Sequence, residues 1–533
     1  MSRRPRSLSR QAAGLARQLP RPHGLQFRPP RSRTGRTMLG VVGALVLVLG
    51  AALLTDPEPV RAGSTAGTRV TVRSTTAVCW HPESLGEIRI AIAAPPAKPV
   101  TGDSGTGGRS GKSKATVTEY GSKDRESSML TISEPGTSTY HDLARAPKEL
   151  LIAKAVGAVA PGFTASQTIR TGGDASTRSL SGTPCPQAGT EFWFAGTGSN
   201  GKSRTAWLYL INPENAKTRV DVELYGDDGP VEGSGLDAIV LKPGQTWSRP
   251  LQVVTGQPHE RLVVHVVARV GRVAAALYDN AHSGLQPRGA DWIPTVAAAS
   301  SRLIVPAVPG GTGERTLYLF VPGEDGALAR VKLVGKNGTF SPAPDKKADA
   351  LDTIALEGNQ LKQVSLTDAA GEEPFGVLVE ADRPLIAALR VGTGDNPPEI
   401  AYLAATPPLG GPSVVADARN ADGATSKLVL TAPGETAKVS VVALVKGEEP
   451  REVRDVEIKA GASREVSLSQ IKGAFAIMIT PQPGSGPVYA SRVLSERSSD
   501  GDLLTIEQFQ PSHTTELVPD VVNDLSAGLR PGE

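Results

Sequence analysis

Val220-Asp221-Val222-Glu223-Leu224 alternates apolar and acidic residues one by one, so every second side chain falls on one face of an extended chain. That pattern suits a strand with one dry face and one wet face, whereas a helix of period 3.6 would scatter the same residues around its surface. Similar short apolar runs flank it: Glu191-Phe192-Trp193-Phe194-Ala195, Ala206-Trp207-Leu208-Tyr209-Leu210, Leu262-Val263-Val264-His265-Val266-Val267 and Val273-Ala274-Ala275-Ala276-Leu277. Gly, Pro, Asn and Asp turns separate them, and helical signals are nearly absent.

The set recurs. Thr316-Leu317-Tyr318-Leu319, Val331-Lys332-Leu333-Val334 and Pro384-Leu385-Ile386-Ala387-Ala388-Leu389 form a second copy, and Lys427-Leu428-Val429-Leu430 with Val439-Ser440-Val441-Val442 begin a third. Leu208, Leu317 and Leu428 are 109 and 111 residues apart, about one sandwich domain. A more divergent copy lies upstream of Cys185. The fold class is therefore all-β, read as tandem immunoglobulin-like β-sandwich repeats over 68–187, 188–300, 301–410 and 411–512, followed by a C-terminal tail over 513–533. Barrel closure is the alternative. A Gly, Ser, Lys, Pro and Thr-rich stretch at 95–115 predicts a disordered loop within the first repeat. The 58 glycines, 43 prolines and few aromatic residues among 533 agree with many short strands and turns.

Ahead of the repeats the sequence changes character. Residues 1–37 hold ten arginines and no Asp, Glu or Lys, which leaves 47 basic against 54 acidic residues, a net charge of −7, for the rest of the chain. Met38 to Thr55 then runs 18 residues without a charge, about 27 Å of helix at about 1.5 Å per residue and close to a bilayer core. By the positive-inside rule the expectation is a basic cytoplasmic tail (1–37), one transmembrane helix (38–55), a flexible tether (56–67) and an extracytoplasmic remainder. Cleavage near Ala62, at the small-x-small site Val60-Arg61-Ala62, with secretion of the remainder, is the alternative. The basic tail stops at an apolar segment and lacks interleaved aromatic residues, so no nucleic-acid partner is expected.

Both cysteines, Cys79 and Cys185, lie beyond the predicted span, where an even pair predicts a disulfide clasping the first repeat. No histidine cluster accompanies them, and neither a metal nor a cofactor site is expected.

One formal motif match, Gly196-Thr197-Gly198-Ser199-Asn200-Gly201-Lys202-Ser203, fits the phosphate-loop pattern. That loop needs a helix N-terminus directed at the phosphates, whereas Thr205 to Ile211 read as a strand, so the expectation is a hairpin turn. His259 and His265 stand six residues apart, about 20 Å along a strand, too far to share a metal. Paired-carboxylate, His-Glu-x-x-His and Gly-x-Ser-x-Gly signatures are missing, and no catalytic residue is nominated. Trp193, Trp207, Tyr209 and Trp247, with Phe192 and Phe194, are the candidate binding surface, since exposed aromatic rings stack on sugars; packing between sheets or domains is the competing role.

The Arg-rich tail, the single apolar span, Cys79-Trp80-His81-Pro82, the Gly-Thr-Glu-Phe-Trp-Phe-Ala run and Val-Asp-Val-Glu-Leu-Tyr-Gly together resemble an uncharacterised actinobacterial family of membrane-anchored secreted proteins. The resemblance implies an envelope location and, through neighbouring glycosyltransferase genes, a link to cell-surface glycan assembly. It carries over no functional residue. The functional expectation is a non-enzymatic, membrane-anchored binding or scaffold protein of the cell envelope, with envelope polysaccharide or glycan-assembly proteins as partners. An enzyme or accessory subunit in glycan assembly is the alternative.

Overall fold

The computed structural model describes residues 68–518 apart from 82–85, 97–112, 121–127, 173–177, 285, 342–350, 370, 395–397, 422 and 499–500. The predicted basic tail, the span at 38–55, the tether at 56–67 and most of the loop at 95–115 lie outside the described residues. Among the described residues no helix is long and apolar enough to cross a membrane.

The chain is all-β. Among the described residues the sheets, apart from one two-stranded pair, build four two-layered sandwiches, and the fourth shows the plan most simply. Its first sheet runs Ser413–Asn420, Gly473–Pro481, Ala437–Leu444, Arg451–Ile458, and its second runs Ala462–Ser467, Ala424–Ala432, Tyr489–Glu496, Leu503–Gln508. Numbered along the chain, these are orders 1-6-3-4 and 5-2-7-8. The other three sandwiches repeat both orders, with two short strands sharing the fourth position in the second (Gly229–Val231 and Ile239–Leu241) and in the third (Gly338–Phe340 and Ile354–Leu356). In the third, one long strand, Phe375–Gly392, supplies the sixth and seventh positions by crossing from one sheet to the other. The 2–5 and 3–6 pairings are those of an immunoglobulin sandwich. The outer strands differ from that fold, because here the first strand lies beside the sixth and the seventh beside the second.

Alternation builds each core. In Thr218–Gly226 the side chains of Val220, Val222 and Leu224 are buried, and they meet Leu208, Leu210 and Leu277 from the facing sheet. Asp221 and Glu223 point the other way, to the outer surface, where Arg269 binds both. Cys79, ending the first strand of the first sandwich, is bonded to Cys185, which directly follows the eighth.

The sandwiches are joined in a closed cycle. Trp80 of the first packs on Tyr209 of the second, ring centroids 5.5 Å apart. Trp193 and Tyr225 of the second pack on Phe320 of the third at 5.7 and 4.9 Å. Val429 and Ile506 of the fourth join the apolar cluster of the third. Ala91 and Ala93 of the first meet Val414, Ala416 and Met478 of the fourth. Where they converge, the four eighth strands, Ser179–Pro184, Gln286–Ile293, Ile400–Ala404 and Leu503–Gln508, touch in succession around the cycle. Thr68–Thr71 pairs antiparallel with Thr515–Val518, so the two ends of the described chain are bound together.

Two expectations need correction. Lys114–Glu119, which begins inside the stretch read as a disordered loop, is a strand held in the first sheet by Leu151–Val156. Thr515–Val518 belongs to the stretch read as a tail but is the partner of the first strand. In both cases backbone pairing with a distant segment supplies order that local composition does not suggest.

Candidate functional site

The predicted aromatic residues separate onto different faces. Trp193 lies on the outer face of its sheet, parallel to the His265 ring at 3.5 Å, and its indole N–H donates to Glu191 at 2.9 Å. The His265 ring bridges Glu223 at 2.9 Å and Glu191 at 3.0 Å. Trp207 and Tyr209 lie on the outer face of the other sheet and pack toward the first sandwich. Trp247 packs on the inner core of the second sandwich, with Arg249 over its ring at 5.6 Å. Strand alternation forces this dispersal: the four do not make one surface, and Trp193, Trp207 and Tyr209 are junction residues.

Gly196 and Thr197 end strand Glu191–Thr197, and 198–203 turn out of that sheet into a strand of the facing sheet, so the segment is a crossover and not the expected hairpin. The Asn200 side-chain carbonyl accepts the Lys202 N–H at 3.1 Å, and strand Arg204–Ile211 follows at once, so no helix N-terminus is available to phosphate. Gly196 has φ +95, and the Tyr318 ring lies 2.6 Å from where its Cβ would stand. A side chain is excluded there on both counts.

That contact borders a cleft of about 420 Å³ between the second and third sandwiches, with Arg204, Arg261, Arg288, Arg390, Glu314 and Tyr318 among its lining residues. Arg204 opens its strand directly after the turn and reaches the Tyr402 hydroxyl at 2.7 Å and Asp279 at 3.2 Å. Tyr402 in turn donates to Asp279. Burial works against the charge on Arg204, but the Asp279 carboxylate beside it holds its pKa above the usual value. Arg261 is bound bidentately by Asp227, with contacts of 2.6 and 2.9 Å. Arg390 donates to Glu314 at 3.0 Å. Burial pushes the Glu314 carboxyl up, and Arg390 and Thr316 outweigh it, leaving the pKa below the ordinary range. Burial raises the Tyr318 phenol. Asp279, which balances Arg204, is fully buried, and neither it nor Asp227, which balances Arg261, is among the lining residues.

A second polar cluster holds the cycle together. The Asp291 carboxylate, in the second sandwich, accepts backbone N–H groups of Gly182 in the first at 3.1 Å and of Tyr402 in the third at 3.3 Å. Thr505 of the fourth donates its hydroxyl to the same carboxylate at 3.4 Å. Glu399, before the third sandwich's eighth strand, accepts from Leu180 at 3.1 Å and Ala290 at 3.3 Å. Gln508 pairs with both backbone groups of Ala404. Glu507 binds Arg492 at 2.8 Å and Ser166 at 2.6 Å, all three fully buried. Burial pushes the Asp291 and Glu399 carboxyls well above their ordinary values against the N–H groups they accept. It raises Glu507 to about 7 despite Arg492.

Sequence reading nominated none of these residues. The one available signal was an acid inside or at the start of an apolar eighth strand, as in Asp291-Trp292-Ile293, Glu399-Ile400-Ala401 and Ile506-Glu507. A buried carboxylate costs too much to persist without partners, so such a recurrence points to contacts across sandwiches. Among the described residues no group of three or more His, Cys, Asp or Glu is placed to hold a metal ion.

A family model described as a family of unknown function (DUF5719) matches residues 137–469, more than half of the chain. No curated protein matches it.

Proposed function

Starting from the fact that the chain belongs to the DUF5719 family, we propose that it is a non-enzymatic binding or scaffold protein of the bacterial cell envelope. In this reading it is carried outside the cell on a single N-terminal membrane helix, as the actinobacterial resemblance implies. Four sandwiches of immunoglobulin-like kind, with their outer strands exchanged, form the presented body. The observation that carries the proposal is the closed cycle, whose junctions are filled by aromatic stacks and by Asp291 and Glu399. Such a body is a stiff support for surfaces formed between sandwiches, and the arginine-lined cleft is one of them. The Cys79–Cys185 disulfide supports an oxidising compartment.

Crosslinking in intact cells, followed by identification of the attached molecules, tests the role. The expected products are envelope polysaccharide or glycan-assembly proteins, and exclusively cytoplasmic partners would sink it. Protease added to wall-stripped cells should digest the region beyond Thr68. Its survival there, while known surface proteins are cut, would reverse the topology.

A further inference from the structure

We infer that the cleft between the second and third sandwiches is a recognition site for an oxyanion, a carboxylate or phosphate carried on an extended glycan. This inference rests on the binding role just proposed and specifies its ligand chemistry. Three observations converge on it. First, guanidinium groups line the cleft while two of their counter-charges do not: Asp279, fully buried, holds Arg204, and Asp227 holds Arg261, and neither lines the space itself. Second, donors are left over. Arg288 is exposed on the wall with no hydrogen bond or ion pair among the described residues. The Tyr318 hydroxyl, on a side chain only 3% exposed, has none either. Arg390 uses one N–H on Glu314, and its Nε is buried without a partner. Third, the acids that do line the cleft are occupied: Glu314 by Arg390 and Thr316, and Glu260 by Asn200.

Buried donors are normally satisfied, and a group of unspent guanidinium and hydroxyl donors around one space is what an oxyanion would complete. The cleft volume lies within the range of small-ligand sites. Arginine suits the task because its planar fork meets carboxylate and phosphate oxygens two at a time. Donors from both sandwiches also make binding dependent on the junction, since Arg288 comes from the second sandwich and Tyr318 and Arg390 from the third.

The test uses the purified full chain in detergent with three probes: an oligogalacturonate, which carries carboxylates, a poly(glycerol phosphate), which carries phosphodiesters, and an uncharged maltooligosaccharide. Titration calorimetry should register at least one anionic probe and not the neutral one, with affinity falling as salt is added. Whichever anionic probe binds identifies the oxyanion. Arg288→Ala, at an exposed and unpaired position, should weaken that binding about tenfold, and Tyr318→Phe should weaken it with the fold intact by circular dichroism. Equal binding of the neutral probe, or wild-type affinity in both variants, overturns the inference. The broader role is separable: capture of purified wall polysaccharide that is undiminished in both variants sinks the oxyanion cleft alone, whereas no capture by the wild-type chain removes the binding reading beneath it as well.

Discussion

Gly182 of the first sandwich donates its backbone N–H to the Asp291 carboxylate of the second at 3.1 Å. The same carboxylate reaches Tyr402 and Thr505, so one side chain touches all four sandwiches. Truncation would leave at least two buried N–H groups without acceptors.

Asp291→Ala should therefore cost roughly 3 to 5 kcal/mol, from about 1 to 3 kcal/mol per orphaned group together with the lost packing. Denaturant titration followed by tryptophan fluorescence checks it. A loss below about 1 kcal/mol would mean that water replaces the carboxylate and that the centre is not dry.

The raised carboxyls predict the direction of pH dependence. Asp291, Glu399 and Glu507 favour the protonated form more in the folded chain than in the unfolded one, so the unfolded chain releases their protons first as pH rises. Their contribution is fully present below the ordinary carboxylate range and is lost on going upward, for Glu507 from 4.5 to about 7. Asp142, Asp221, Glu223 and Glu314 are held below their ordinary values and act oppositely, losing stability as the solution becomes more acid. The melting temperature should peak in mildly acidic solution, and Glu507→Gln should flatten the fall on the neutral side. A melting temperature still climbing through neutrality would contradict this.

Loss of the disulfide should be expensive. Cys79 and Cys185 close a loop with a sequence separation of 106, and on the chain-entropy model the paired Cys79→Ser and Cys185→Ser change costs about 4 to 5 kcal/mol. Reduced and oxidised protein compared in urea give the value. Two reactive thiols in the unreduced folded chain would show that the bond does not form.

Gly196→Ala should loosen the junction beside the cleft. The new methyl group would enter the Tyr318 ring at a backbone angle that alanine disfavours, a penalty of about 1 to 3 kcal/mol. Amide exchange should quicken around Tyr318 and Phe320 more than around the fourth sandwich. Uniform exchange, or none, would remove the steric argument.

How much of this was legible depended on whether the information was local. Period-two alternation at Val220 to Leu224 and the spacing of Leu208, Leu317 and Leu428 report local geometry, and the strands lie where those patterns fall. Cys79 and Cys185 were readable because a disulfide needs only two thiols and an oxidising compartment. Closure of the cycle was not readable, since Ala91 against Val414 or Asp291 against Gly182 joins residues whose local sequences contain no trace of each other. The same blindness explains the aromatic residues. Trp207 and Tyr209 alternate as an exposed row would, but the first sandwich covers the face they occupy. The arginines of the cleft, spread from position 204 to 390, become a group only once two sandwiches meet.

Pairing of Thr68–Thr71 with Thr515–Val518 means that the polypeptide enters and leaves this body at one seam. The order in which the modules are synthesised is thus separable from the order in which they sit. A circular permutant, its old ends fused by a short linker and new ends opened in a connection between two modules, should rebuild the same assembly.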